Sequence, residues 1–353
     1  MKVSIIVPVY NEQRNIKKLY DSVIVNGYDN FELIFIDDGS TDDSLQILSE
    51  IKEKDNRVKL ISQANCGVSV ARNNGIIAST GDYIMFCDCD DLIIKGSLKA
   101  MLDAIFQTGS PIVQGCFYSK EGLYNDSSLQ TVNSELLLKS VISCGFTGYP
   151  QIPKQLIKSS RGIYGKIYNS SIIKNQRFLK DLKIGEDLLF LLNIYILAGQ
   201  VTLINKEVYF ITPNQNSSTR RYNPELIKSC MVFINEIDNI VKQYNLKGIE
   251  NELLYIKYLT CNISVNSSYY HPLAYDSFND RYKEYKAFFS TETINNIYSG
   301  IFNMIRKENF VFSKKDLLQI YLINRHKLFL CFFIFNVIRK IKFYLIGYYE
   351  RKN

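Results

Sequence analysis

Apolar and polar positions follow two alternating periods along the first hundred residues. Val3 to Val9 is a short β-branched run whose length reads as a buried first strand. Glu12 to Val25 places apolar residues at helical spacing and stops at Asn26-Gly27, a plausible C-cap. Phe31 to Ile36 is again apolar and stops at Asp37-Asp38-Gly39-Ser40, after which Thr41-Asp42-Asp43-Ser44 offers caps and first-turn acids for a helix through about Lys54. Val58 to Ser62 reads as a third strand and Gly67 to Ala78 as a third helix. Gly81-Asp82 then turns into a fourth strand, Tyr83 to Cys87. This alternation predicts a mostly parallel sheet with helices on both faces. Ligands of such sheets sit beyond the carboxyl ends of the strands. Asp37/Asp38 and Asp88/Asp90/Asp91 both fall at such ends, so two acidic clusters are expected on one rim.

The pattern changes further along. Leu92 to Tyr149 holds a helix, a strand at Ile112 to Tyr118 and a stretch without clear period. From about Pro224 helical spacing replaces the α/β alternation, and the polar segment Asn214 to Asn223 marks the boundary. The expected division is a first domain over 1–215, in halves of about 1–100 and 101–215, then a helical region over 216–324 and a tail over 325–353. In that tail Leu328 to Ile338 is an uncharged run of 11 residues, too short to span a bilayer. Its flanks, His326-Lys327 and Arg339-Lys340-Ile341-Lys342, suit an interfacial helix on an anionic leaflet; a core or dimer helix is the plainer alternative. No repeats or low-complexity segments occur.

Composition narrows the picture only a little. The 353 residues are 46% apolar and 22% charged, ordinary values for a chain with a sizeable core. The net charge of +7 is moderate and its basic residues are dispersed except at the C-terminus, which speaks against nucleic-acid binding. Eight cysteines lack CxxC pairs and nearby histidines, so reduced structural thiols are expected rather than zinc or disulfides. Met1 to Tyr10 lacks the long apolar region of a signal peptide, which makes a cytoplasmic location the expectation.

Chemistry concentrates in Asp88-Cys89-Asp90-Asp91. Three carboxylates within four positions repel one another unless a cation or hydrogen-bond donors neutralise them. Mg²⁺ and Mn²⁺ take oxygen ligands of this kind together with phosphate oxygens. The same residues also cap turns, and on this cluster alone both readings stand.

Four motifs in order carry a resemblance. Val7-Pro8-Val9-Tyr10-Asn11-Glu12 is followed by Phe35-Ile36-Asp37-Asp38-Gly39-Ser40-Thr41-Asp42, by Asn65-Cys66-Gly67 with Ala71-Arg72-Asn73, and by Gly81 to Asp91. Together they resemble the catalytic domain of glycosyltransferase family 2, which has the Rossmann-like GT-A fold. The resemblance is dense over 3 to about 100 and resumes around 161–192. It implies an α/β GT-A domain followed by a smaller helical region, a UDP-sugar donor, and Mn²⁺ or Mg²⁺. By position it puts Pro8, Tyr10 and Glu12 at the nucleotide base and ribose, Asp38 at the uracil imide, and Asn65 and Arg72 near the base and diphosphate. Asp88 and Asp90 match the DxD pair, with Asp90 the more direct metal ligand, and Asp91 follows as an acid for sugar or ribose hydroxyls. Lys183-Ile184-Gly185-Glu186-Asp187 looks like the family's Glu-Asp motif, making Asp187 the general base, with Glu186 supporting it or binding acceptor. An acidic first helical turn is the plain alternative there.

The resemblance extends less firmly to Gly165-Lys166-Ile167-Tyr168-Asn169 and Gln176-Arg177-Phe178. Lys166 reads equally as an acceptor or phosphate contact and as a surface lysine. Arg220 and Arg221, in a serine-rich loop, read equally as diphosphate contacts and as solvated residues. The chain has no tryptophan and no spanning apolar run, so the processive, membrane-embedded branch of the family is not expected. The implied activity is inverting transfer onto a glycan or lipid-linked glycan of capsule, O-antigen or teichoic-acid type, at the inner face of the membrane. A homo-oligomer is compatible with all of this. Two rival classes are a non-catalytic UDP-sugar or lipid-binding partner of an assembly complex and a sugar nucleotidyltransferase. The latter would carry a Gly-rich phosphate loop where this chain has Val-Tyr-Asn-Glu.

Overall fold

The computed structural model describes residues 1–118, 125–134, 136–138, 162–212, 222–274, 276–307 and 312–350, without the side chains of 125–127 and 343–350. Its contacts divide the chain into two units, one formed by 1–144, 148–182 and 186–213, the other by 145–147, 183–185 and 214–353.

In the first unit β1 (Val3–Val9), α1 (Ile16–Ile24), β2 (Phe31–Asp37), α2 (Ser44–Lys54), β3 (Val58–Ser62), α3 (Val68–Ala78) and β4 (Tyr83–Phe86) alternate as the pattern predicts. The helix expected over 12–25 starts four residues later, because residues 10–15 are used to build the rim. β5 (Leu92–Ile93), α4 (Ser97–Thr108), β6 (Ile112–Phe117), β7 (Asn125–Asn133), β8 (Lys166–Asn169), α5 (Ser170–Ile173), α6 (Glu186–Ala198) and β9 (Gln200–Phe210) complete it. The sheet order is β3-β2-β1-β4-β8-β6-β9-β5, with β7 paired to β9.

The half β3-β2-β1-β4 is parallel throughout. β1 and β2 are buried almost end to end, which is why they read as continuous apolar runs rather than alternating ones. Beyond β4 the direction mixes: β8 is antiparallel to both β4 and β6, and β6 is parallel to β9. β8 is four residues long, too short to show a period, yet its antiparallel course starts it at the end of the sheet where β4 finishes. The helices pack closely. A Cβ on Gly75 of α3 would meet Ile6 Cγ2 of β1 at 2.3 Å, so only glycine lets α3 lie this near the sheet.

The second unit is helical: α7 (Glu225–Gln243), α8 (Glu250–Ser267), α9 (Phe278–Phe289), α10 (Glu292–Lys307), α11 (Lys314–Asn324) and α12 (Leu328–Glu350). Its core is aromatic, with Tyr258, Tyr270, Tyr285, Phe289, Tyr298, Phe332 and Phe335 all buried. Cys230 of α7 and Cys261 of α8 are buried with their sulfurs 3.6 Å apart, and every described cysteine is a free thiol. The tail expected over 325–353 enters this core along one face: Cys331, Phe332 and Phe335 of α12 are fully buried. The opposite face leaves Phe329, Leu330, Phe333, Val337, Ile338 and Ile341 exposed. The plain run of apolar letters thus holds two faces, one packed and one open. No helix among the described residues is long and apolar enough to cross a membrane.

Candidate active site

The rim begins where β1 and β2 end. Asn11 adopts a left-handed backbone at φ 57°. Its side-chain oxygen accepts from Thr41 N (2.8 Å), and its own N–H donates to Ser40 Oγ (3.0 Å). Glu12 N–H donates to Ser44 Oγ at 2.9 Å, so the loops after the two strands are joined. Tyr10 stands 48% exposed on this edge beside the half-buried Pro8. Burial raises the Glu12 carboxyl above its ordinary value; Asn15, bonded to it at 2.6 Å, opposes the shift, and Asp90, Asp42 and Asp88 add to it. Glu12 therefore belongs electrostatically with the DxD acids as well as with the strand end.

Asp38 lies beneath this edge rather than on it. It is 4% exposed. Its carboxylate accepts from Gln63 Nε2, Cys66 N and Gly67 N, each at 2.8 Å. Both oxygens thus bond to the loop that leads into α3. The turn is tight: a Cβ on Gly39, at φ +73°, would meet Asn65 N at 2.8 Å. Asn65 and Cys66, at the tip of the held loop, are exposed.

α3 carries Arg72 into the centre. Its guanidinium is nearly fully buried and is sandwiched between the rings of Phe178 (5.3 Å) and Tyr164 (5.7 Å). Nη1 donates to Asp187 Oδ1 at 2.7 Å and lies 3.6 Å from Glu186 Oε1. Nη2 donates to Asp88 Oδ1 at 3.1 Å and to Tyr164 Oη at 2.8 Å. One cation thereby joins the DxD aspartate to the carboxylate expected to be the base, its bond to Asp187 spanning 115 positions of sequence. Arg72 was expected near the base and diphosphate; in the structure its guanidinium lies among Asp88, Glu186 and Asp187.

Neighbours fix that arginine. Asn73 holds both backbone groups of Phe178, donating to its carbonyl at 2.9 Å and accepting its N–H at 2.8 Å. Phe178 in turn stacks on Phe190 of α6 at 3.9 Å and meets Phe86 of β4 edge-on at 5.5 Å. Tyr164 stacks on Tyr209 of β9 at 5.6 Å and approaches Asp187 Oδ2 at 3.3 Å. Tyr164, Tyr209 and the clamp by Asn73 were not among the expected functional contacts. Only Tyr164's place two residues before Lys166 hinted at a role.

Lys166 is not a surface lysine. It is fully buried, and its ammonium donates to the carbonyls of Gly162 and Tyr164. Burial brings it down to about 7, against the pull of Asp187. It holds the turn that delivers Tyr164. Arg220 and Arg221 lie outside the described residues.

The acidic cluster sits beside Arg72. Asp88, Asp90 and Asp91 each offer a carboxylate oxygen, and these atoms all lie within 4.8 Å of one another. Asp91 is buried, accepting from Tyr209 Oη at 2.9 Å and Thr212 N at 2.8 Å. Asp91, expected to position sugar or ribose hydroxyls, thereby ties β9 to the DxD loop. Burial pushes Asp91 up to about 7, opposed by Thr212 and Tyr209. Asp88 and Asp90 remain half-buried on the open side, and their hard oxygens in this spacing fit a divalent cation. Glu186 and Asp187 open α6. Burial raises both; Asp187 adds to the rise of Glu186, to about 7, while Arg72 opposes it in each. An acid raised in this way takes up a proton more readily than an exposed one.

A parallel half-sheet ending in a carboxylate rim, with a cationic bridge to a second acidic pair, is an arrangement of the GT-A fold. Residues 4–157 match the glycosyl transferase family 2 model. Glycosyltransferase GlyA of Streptococcus pneumoniae serotype 4 is 31% identical over 223 residues, 62% of this chain and 32% of GlyA. The uncharacterized glycosyltransferase EpsJ of Bacillus subtilis is 30% identical over 234 residues, 64% of this chain and 65% of EpsJ. The chain thus spans about a third of the one relative and just under two thirds of the other. The crystal structure of S. aureus TarS 1–349 in complex with UDP-GlcNAc superposes with a TM-score of 0.61 at 21% identity, covering 95% of this chain and 90% of that one. At that identity the likeness is one of fold.

Proposed function

We propose that the protein is an inverting, metal-dependent glycosyltransferase that moves a sugar from a UDP-sugar to a hydroxyl of a lipid-linked cell-surface glycan intermediate. The observation that carries this reading is Arg72, which holds Asp187 and Asp88 on its two terminal nitrogens and so brings a base and a metal-binding carboxylate to one point. Asp187 accepts the proton of the acceptor hydroxyl as that oxygen bonds to the anomeric carbon. The bond from that carbon to the diphosphate oxygen breaks in the same displacement, and the nucleoside diphosphate departs. Asp88 and Asp90 would hold Mn²⁺ or Mg²⁺, whose chemistry here is neutralising charge on the departing diphosphate.

Tyr10 and Pro8 offer the nucleotide a ledge, with the Asn65 loop opposite. In this reading Asp38 serves the base through that loop, because its own oxygens are occupied. The UDP-GlcNAc in the TarS structure supports a UDP-sugar donor. The test is thermal unfolding with a panel of UDP-sugars and Mn²⁺. The correct donor at about 100 times its Kd adds roughly 2.7 kcal/mol to stability. Asp90→Asn is expected to abolish the metal-dependent part of that gain, and an unchanged gain would remove Asp90 from the metal site.

The reading also places the enzyme on the inner face of the membrane through α12. Its open apolar face and the cations Lys327, Lys340 and Lys342 support adsorption to an anionic leaflet. Deleting the tail would not test this, since Cys331, Phe332 and Phe335 belong to the core. Phe333→Glu and Ile341→Glu alter only exposed positions, at 50% and 54%. Each is expected to weaken binding to phosphatidylglycerol vesicles about tenfold or more, from the apolar area withheld from the bilayer. Sedimentation with vesicles unchanged in the double variant would rule the surface out.

A further inference from the structure

The helical unit contains a buried arginine without a carboxylate partner. Arg281 of α9 is 6% exposed, and none of the ion pairs among the described residues includes it. Nη1 is used twice, donating to the Tyr269 carbonyl at 2.7 Å and to Asn336 Oδ1 at 3.0 Å. Nε is buried and makes no hydrogen bond, and neither of these two bonds uses Nη2. A guanidinium with Nη1 engaged and the Nε–Nη2 edge open presents the fork that receives two oxygens of one oxyanion. Burial works against the charge of Arg281 and is only partly opposed by Tyr222 and Asp276, so an anion from outside the chain would add to that compensation.

The arginine lines a cavity of about 200 Å³. Exposed Lys228 of α7 stands at its mouth as a second cation. Asp276 and Glu284, both exposed, also line it, with Asp276 accepting from Tyr222 Oη at 2.9 Å. The rings of Tyr222 and Tyr269 form part of the wall. Two cations alone would suit inorganic phosphate, but two carboxylates in the same lining repel a bare anion. They accept hydrogen bonds from hydroxyl groups instead, and tyrosine rings pack on the C–H faces of a polyol or sugar.

We propose that this cavity is a binding site for a polyhydroxylated phosphate ester, such as a sugar or polyol phosphate. The phosphate sits on the open edge of Arg281 with Lys228 beside it, and the hydroxyls point to Asp276 and Glu284. The site lies wholly within the helical unit and uses none of the residues assigned to transfer, so it stands or falls apart from the catalytic reading.

The experiment is thermal unfolding of the full chain in chloride buffer without divalent metal, titrated with glycerol 3-phosphate, inorganic phosphate or glycerol. A saturable rise is expected with glycerol 3-phosphate, a smaller one with phosphate at equal concentration, and none with glycerol. Lys228→Ala, a surface change, is expected to raise the half-saturating concentration about two- to fivefold. Arg281→Met is expected to raise it at least about tenfold. If Arg281→Met does not fold, Lys228→Ala decides alone. No saturable rise in the unaltered protein, or the same half-saturation in Lys228→Ala, overturns the proposal. A parallel measurement with phosphatidylglycerol vesicles separates two sources of the phosphate. Vesicle binding lost in Lys228→Ala assigns it to a lipid headgroup, and binding retained assigns it to a soluble ester; either result supports the site.

Discussion

Asp187→Asn should lower kcat for sugar transfer by about 10²–10⁴-fold while leaving the affinity for the nucleotide-sugar nearly unchanged. The substitution keeps the shape of the side chain and removes only its capacity to accept a proton. A hydrogen bond from Arg72 Nη1 can still be received by the amide oxygen, so the arginine stays in place and Asp88 keeps its partner. The pH profile supplies a second measure. Asp187 works when deprotonated, and burial holds its carboxyl above the ordinary value. Activity in the unaltered enzyme is therefore full above that raised value and is lost as pH falls through it. The acid limb is expected above the usual carboxylate pKa of about 4. A limb that persists unchanged in Asp187→Asn, or turnover near normal, would transfer the role of base to another group.

Arg72→Met should damage both stability and rate. The guanidinium is the shared counter-charge of Asp88, Glu186 and Asp187, whose side chains are 31%, 20% and 22% exposed. Removing one partner of a buried ion pair costs about 3–5 kcal/mol, and the partial exposure of these acids places the loss toward the lower end. Protonation relieves part of it. Without Arg72 the pull that lowers Asp187 and Glu186 is gone, so their carboxyls rise further and the deficit should shrink as pH falls. The same shift carries the acid limb of activity to higher pH. Urea unfolding at two pH values, together with the pH–rate profile, measures all three effects. An unfolding midpoint equal to that of the unaltered protein would mean that the carboxylates find other compensation.

These two positions differ in how far they can be read from the chain itself. Asp187 and Asp88 sit in short motifs next to strand or helix ends, and β1, β2 and β4 are largely buried parallel strands whose apolar runs are unmistakable. The shared arginine could be noticed as a residue of a motif, but its bond to Asp187 spans 115 positions and no local period encodes it. Tyr164 and Tyr209 are harder still. In a chain with 25 tyrosines, neither stands out until β8 and β9 are folded side by side with β6. Lys166 misleads for a related reason: lysine is normally exposed, and the backbone carbonyls of Gly162 and Tyr164 together with the charge of Asp187 help make its burial tolerable. Asp38 was legible as an acid at a strand end, whereas its full occupation by the 63–67 loop depends on tertiary placement.

The loop pinned by Asp38 ends in Cys66, and this cysteine alone is exposed among the described ones. The other six are buried, and burial is the leading cause raising the thiols of Cys87, Cys89, Cys116 and Cys331, which makes them poor nucleophiles. An alkylating dye or spin probe added to the folded protein would accordingly meet Cys66 first, at the tip of the rim nearest Asn65. The fold thus supplies a ready attachment point for a reporter of nucleotide arrival, and the same exposure makes that edge of the site the part most open to oxidation.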